Sequence, residues 1–233
     1  EITIVSPIKK LTIEEYKLPK PIYERLQNKA RGVLIAGETG SGKSTFAQAV
    51  AEMYVKMNRI VKTVESPRDL SLSADVTQYS KNFADSEEIH DILFLTRPDN
   101  ILFDEIRNTP DFELFTDLKL AGSNCMGVMH ASAPIDAIQR FLGRLELGMI
   151  ASVVDTILFI EDGQINTIYT LDQKVKVPTG MVEDDLARPV VDVRDFLTQK
   201  LCYEIYSYGD NTVVMPVDSE EKKSSPLNTM AEE

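Results

Sequence analysis

The sequence holds no tryptophan, two cysteines and two histidines in 233 residues, and no apolar run long enough to cross a bilayer. A membrane-spanning helix needs about 20 consecutive apolar residues. The richest stretch, Met149 to Ile160, is broken by Ser152, Asp155 and Thr156, which excludes a span. The cysteines, Cys125 and Cys202, sit in unrelated contexts without metal-ligand spacing. That pattern excludes a disulfide framework and a zinc site and fits the reducing cytoplasm, with Cys125 read as a small buried hydrophobe. Basic residues are in deficit too, since 25 Lys+Arg against 37 Asp+Glu leave a net charge of −12. Nucleic-acid binding by bulk charge is excluded, while a local basic patch or a positive pore in a ring is not. The chain opens at Glu1 without an initiator Met or a signal-type apolar segment, so it is expected to be a piece of a longer protein.

A chain of this length suits one core domain with a smaller appendage. Residues 1–31 form a lead-in segment carrying seven basic and four acidic residues, a balance of +3 against −15 for the remainder. Ile2–Val5 predicts a short strand, and Ile22–Ala30 a helix with Pro21 in its first turn. From residue 32 to 155 the pattern alternates. Strands are predicted at Gly32–Ala36, Ile60–Val64, Ile101–Phe103 and Met126–Met129, with helices after residue 42, from Asp85 and from Pro134 to Leu145. Such alternation predicts an α/β fold on a mostly parallel sheet. Residues 156–217 read as an antiparallel β extension of that core, with hairpins turning at Glu161-Asp162-Gly163 and around Gly209-Asp210. Residues 218–233 are polar and read as a linker or tail.

The strongest chemical signal is Gly37-Glu38-Thr39-Gly40-Ser41-Gly42-Lys43-Ser44, the G-x-x-x-x-G-K-S pattern between a predicted strand and a predicted helix. Its glycines let backbone N–H groups curl round a β-phosphate, and the helix N-terminus adds positive potential. Lys43 is placed to reach the β/γ oxygens of ATP, Ser44 to ligate Mg²⁺, and Thr45 to contact the α-phosphate. Asp104 and Glu105 close the apolar run Ile101–Phe103. Asp104 there would hold Mg²⁺ through a water and Glu105 would polarise an attacking water; the plainer alternative is that both cap a strand end. Glu65 ends the second strand at the sheet edge where α/β folds bind ligands. His130 ends the fourth and could face a γ-phosphate, although a lone histidine is more often a satisfied structural one. Arg97, Arg107, Arg140 and Arg144 are arginine-finger candidates, each alone more often a surface ion pair. Arg140 and Arg144 lie one helical turn apart and share a face, fit to meet a neighbouring subunit or a phosphate.

In order, Gly37–Ser44, Glu65-Ser-Pro-Arg68, Asp104-Glu105 with Arg107, and Gly127-Val-Met-His130 resemble the Walker A, Asp-box, Walker B and His-box motifs of PilT-like secretion and pilus-motor ATPases. Within that superfamily, Glu65–Leu70, Arg97-Pro-Asp99, Pro134–Ala137, Gln139-Arg140 and Val175–Met181 are most similar to the archaeal PIN-domain ATPases, over roughly residues 1–217. The resemblance implies a RecA-like P-loop ATPase core over residues 32–155, flanking PIN and KH-like domains, a hexameric ring of identical subunits, and Holliday-junction branch migration in DNA recombination and repair, with a recombination nuclease as a companion. It also implies that Glu65 activates water, that Glu105 supports Mg²⁺ and that His130 senses the γ-phosphate, with Lys43 and Arg107 completing the catalytic set. Ser66 departs from the aspartate usual in pilus motors. Two other readings stay open: a secretion or pilus motor acting on protein, and a slow nucleotide switch serving an attached domain.

Overall fold

Strand β1 (Gly32–Gly37) is buried along its whole length, as a continuous run of small and branched apolar residues requires. The computed structural model describes residues 10–67, 70–181 and 186–217. The strand expected at Ile2–Val5 and the tail at 218–233 lie outside them. β1 runs parallel to β5 (Asn124–His130) on one side and to β6 (Thr156–Glu161) on the other. Beyond β5 the parallel set continues through β4 (Asn100–Asp104), β2 (Val61–Glu65) and β3 (Thr77–Ser80). Beyond β6 the sheet turns antiparallel through β7 (Gln164–Lys176), β8 (Arg188–Asp195), β9 (Leu201–Tyr208) and β10 (Asn211–Pro216), making ten strands among the described residues. This is the expected α/β class, a mostly parallel core with a C-terminal antiparallel part.

Helices cover both faces of the parallel half, so that each face buries its own apolar cluster. One cluster lies under α1 (Lys20–Asn28) and α2 (Lys43–Lys56) and includes Leu26, Phe46, Val50 and Ile35. The other lies under α3 (Ser86–Thr96), α4 (Thr109–Leu120), α5 (Asp136–Leu142) and α6 (Leu147–Val153) and is built on Phe103, Phe112, Phe115 and Phe141. Asp155, just before β6, accepts from the backbone N–H groups of Arg31 and Gly32 at 2.9 Å each and pairs with Arg25 at 3.3 Å, tying α1 and the start of β1 to β6. The sheet therefore runs unbroken past residue 155, and β6 belongs to its parallel half.

Several elements differ from the sequence reading. The helix expected from Pro134 to Leu145 is α5, which spans only Asp136–Leu142 with Gly143 as its C-cap, and α6, which begins at Leu147, was not expected. α4 was not expected, although Asn108 and Asp111 form a reciprocal cap around Pro110 at its start. β3 was missed because Thr-Gln-Tyr-Ser is polar and lies at the sheet edge, half-buried. Both expected hairpins are present. The β6–β7 turn puts Asp162 and Gly163 at φ of 49° and 75°, the mirror-image geometry that tight hairpins favour. At the far end, Lys176 Nζ lies 2.5 Å from Asp192 and 2.7 Å from Glu204, and Glu204 also accepts from the Thr179 N–H at 2.7 Å.

Candidate nucleotide site

The strand register brings the chemistry to one edge. Gly37 at the end of β1 stands opposite His130 at the end of β5, and Glu65 at the end of β2 stands opposite Asp104 at the end of β4. A cleft of about 520 Å³ opens there, between the Gly37–Ser44 loop and residues 104–107. Gly40 and Gly42 adopt φ of 80° and 95°, left-handed values that side chains resist. Gly37 is needed for space, since an added Cβ would lie 2.3 Å from the Ile160 carbonyl oxygen. α2 begins at Lys43 with no side-chain cap and no acid in its first turn. Its first N–H groups and its dipole are thereby directed into the loop, a ready anion cradle. Lys43 is buried, and its ammonium donates to the Glu38 carbonyl at 2.5 Å. Burial pulls its pKa down, opposed by the charges of Glu105 and Asp104.

Ser44 Oγ donates to Asp104 Oδ1 at 2.9 Å, so hydroxyl and carboxylate sit together at the base of the loop. That pair fits a Mg²⁺ ion bound to nucleotide, which takes few protein ligands and completes its shell with phosphate oxygens and water. Among the described residues, no cluster of three or more His, Cys, Asp or Glu side chains could hold a metal without such help. Glu105 has φ of 80°, a value rare outside glycine, which turns its side chain out of the strand direction. Its carboxylate pairs with the Arg107 guanidinium through one oxygen and lies 3.2 Å from His130 Nε2 through the other. Burial would raise the Glu105 pKa, but Arg107, His130 and Lys81 outweigh it and hold the carboxyl below the ordinary range. His130 Nδ1 in turn lies 3.4 Å from Thr39 Oγ1, linking the acid to the phosphate loop.

Of the remaining expected residues, Thr45 lines the cleft and the others fall outside it. Glu65 is fully buried, and its carboxylate accepts from Thr63 Oγ1 at 2.5 Å, Gln78 Nε2 at 2.8 Å and the Leu70 N–H at 3.1 Å. Ser66 and Pro67, rather than Glu65, line the cleft. Arg97 caps the C-terminus of α3, just before β4 begins, at the opposite edge of the sheet from the loop. Arg140 donates to the backbone carbonyls of His130 and Arg107, and Arg144 to that of Arg140. Lys81 carries no mark in the sequence, yet its ammonium bonds Asp111 at 2.7 Å and the Glu105 carbonyl at 3.4 Å, anchoring the loop after β4 from the end of β3, two strands away. Nor did the sequence show that Gly163, in the β6–β7 turn, donates to the Ser41 carbonyl at 3.0 Å. Neither contact has a local signal, because each joins segments far apart in the chain.

Known proteins resemble the chain in sequence and in fold. The chain is 52% identical, over 225 residues and 97% of its length, to the Holliday junction branch migration ATPase PINA of Sulfolobus acidocaldarius, and spans 44% of that protein. It is 52% identical over its full 233 residues to an uncharacterised KH and PIN-domain containing protein of Methanocaldococcus jannaschii, of which it spans 36%. The chain thus covers less than half the length of these two relatives. Among solved structures it matches the Legionella pneumophila ATPase DotB with a TM-score of 0.56 at 20% identity, covering 82% of this chain and 52% of that one. The resemblance to the PIN-domain ATPases and their wider motor superfamily is borne out. A model of the type II/IV secretion system proteins matches residues 3–168, and the chain belongs to that family, whose P-loop ATPase fold it carries.

Proposed function

We propose that this chain is the ATP-hydrolysing motor core of a hexameric ring that works in the cytoplasm on branched DNA, moving Holliday junctions. The observation that carries the hydrolytic reading is the placement of Glu105, one residue beyond the Ser44–Asp104 pair and in contact with His130. The loop backbone and Lys43 grip the β- and γ-phosphates, and Thr45 takes the α-phosphate. Ser44 and Asp104 would hold Mg²⁺, which would supply positive charge against the phosphoryl oxygens. Glu105, ionised at neutral pH, orients and polarises the attacking water. His130, tied to both Glu105 and Thr39, registers the γ-phosphate, and Arg107 pairs with Glu105 and keeps it ionised. Glu65 accepts from Thr63, Gln78 and Leu70, and on this reading it holds the strand edge while the water-activating role that family resemblance gives it passes to Glu105.

The DNA reading rests on the 52% identity to a branch migration ATPase over nearly the whole chain. The family match and the likeness to DotB support a second reading, a motor acting on protein. Mg²⁺-ATP turnover is to be measured with a synthetic four-way junction, with linear duplex and alone, using Lys43→Ala as the blank. Selective stimulation by the junction is expected. Turnover indifferent to DNA would remove the DNA reading from this core and favour the protein motor, and no turnover above the blank would remove the hydrolytic reading.

A further inference from the structure

One guanidinium joins the loop after β4 to the end of β5. Arg140, half-buried on α5, donates from Nη1 to the His130 carbonyl and from Nη2 to the Arg107 carbonyl, each at 3.1 Å. Those two residues are the ones whose side chains hold the Glu105 carboxylate, Arg107 on Oε2 and His130 on Oε1. Arg140 itself is fixed in place. Its guanidinium lies over the Phe112 ring at 5.5 Å, and Arg144 lies over the same ring at 4.5 Å while donating to the Arg140 carbonyl at 2.6 Å. Phe112 packs edge-on against Phe141, 4.7 Å away, so the ring that carries both arginines is part of the core. A planar fork with separated donors can bridge two carbonyls in this way, whereas an ammonium is a single point.

We propose that Arg140 is a positioning residue acting within its own subunit, setting the spacing between the Arg107 and His130 side chains that hold Glu105. Its two donor groups face inward onto the backbone of its own chain, so the role differs from that of a finger extended to a neighbour's nucleotide. The inference rests on the assignment of Glu105 to hydrolysis made above.

The chain offers a clean readout, because it contains only two histidines. In protein labelled at the histidine ring carbons, the nucleotide-free wild type, Arg140→Gln and Arg140→Lys are compared by NMR, with His90 on α3 as internal control. The expected result in Arg140→Gln is a displaced His130 ring signal, an unmoved His90 signal, and a kcat for ATP lowered about 10- to 100-fold with KM within about twofold. Arg140→Lys, which can reach one carbonyl, should fall between; should Arg140→Gln fail to fold, it carries the same comparison. A lowered kcat with an unmoved His130 signal would overturn the proposal, as would a displaced signal with kcat unchanged. If the wild type hydrolyses no ATP the motor reading fails, while the His130 signal still decides whether Arg140 holds that residue.

Discussion

Replacing Glu65 by alanine should cost stability, whereas replacing Glu105 by glutamine should cost turnover. The Glu65 carboxylate is sealed from solvent and accepts from a hydroxyl, a side-chain amide and a backbone N–H, at 2.5, 2.8 and 3.1 Å. Each buried donor left without its acceptor costs about 1–3 kcal/mol, and neighbouring losses are not additive, so the three together cost about 3–5 kcal/mol. In a chain of this size that lowers the melting temperature by about 6–20 °C. Glu105 instead stands at the mouth of the cleft, and its glutamine variant should keep stability within about 1 kcal/mol while losing about 100-fold or more in kcat. Thermal unfolding and single-turnover ATP hydrolysis on the same preparations separate the two cases. The reasoning is refuted if Glu65→Gln keeps the wild-type melting temperature yet loses turnover as deeply as Glu105→Gln, because Glu65 would then be the water-activating acid.

Other consequences are checked more simply. Lys43→Ala should weaken ATP binding at least about tenfold by titration calorimetry, since the buried ammonium is the loop's own counter-charge; unchanged affinity would move the site elsewhere. Gly32→Ala puts a Cβ 1.8 Å from the Val153 carbonyl oxygen, a backbone atom that no rotamer change relieves. It should destabilise the fold by about 1–3 kcal/mol or more in urea unfolding, and a neutral result would contradict the close approach of α6 to β1. Burial tends to raise the carboxyl pKa values of Asp192 and Glu204, but Lys176, with Arg194 on the first and Thr179 on the second, holds both below their ordinary ranges. Groups with depressed folded values contribute stability above their unfolded pKa of about 4 and lose it as pH falls through the folded values. Stability should therefore decline below about pH 4 more steeply in the wild type than in Lys176→Met, and parallel acid limbs would count against the network.

The core was legible where chemistry and pattern coincide. Gly37–Ser44 announces strand, loop and helix together, and Ile101–Phe103 ends in acids because a buried strand must emerge at the ligand edge. Short polar elements carry no such mark, so Thr77–Ser80 passed as loop, and the break at Gly143 was hidden by an apolar period that runs on through Leu145. The register of β2 against β4 places Glu65 level with Asp104, at the sheet edge where the sequence led one to expect it, yet Asp104 lines the cleft and Glu65 does not. Which side of a strand end a carboxylate faces depends on what packs above it, here Leu70 and Gln78. Arg97, Arg140 and Arg144 look alike in the sequence. Their different surroundings come from α4 and from the sheet's two edges, which no local spacing encodes.

The bond from Gly163 to Ser41 changes what counts as the phosphate-gripping segment. A Cβ on Gly42 would come within 3.2 Å of Gly163 Cα, so the hairpin turn is a wall of the loop although it lies over 100 positions downstream. From that wall β7 runs straight into the antiparallel half of the sheet, 13 residues and about 43 Å at ~3.3 Å per residue. The nucleotide grip and the far β-hairpins are thus two ends of one continuous beam, and a substitution at Gly163 belongs in any account of ATP affinity alongside the motif residues themselves.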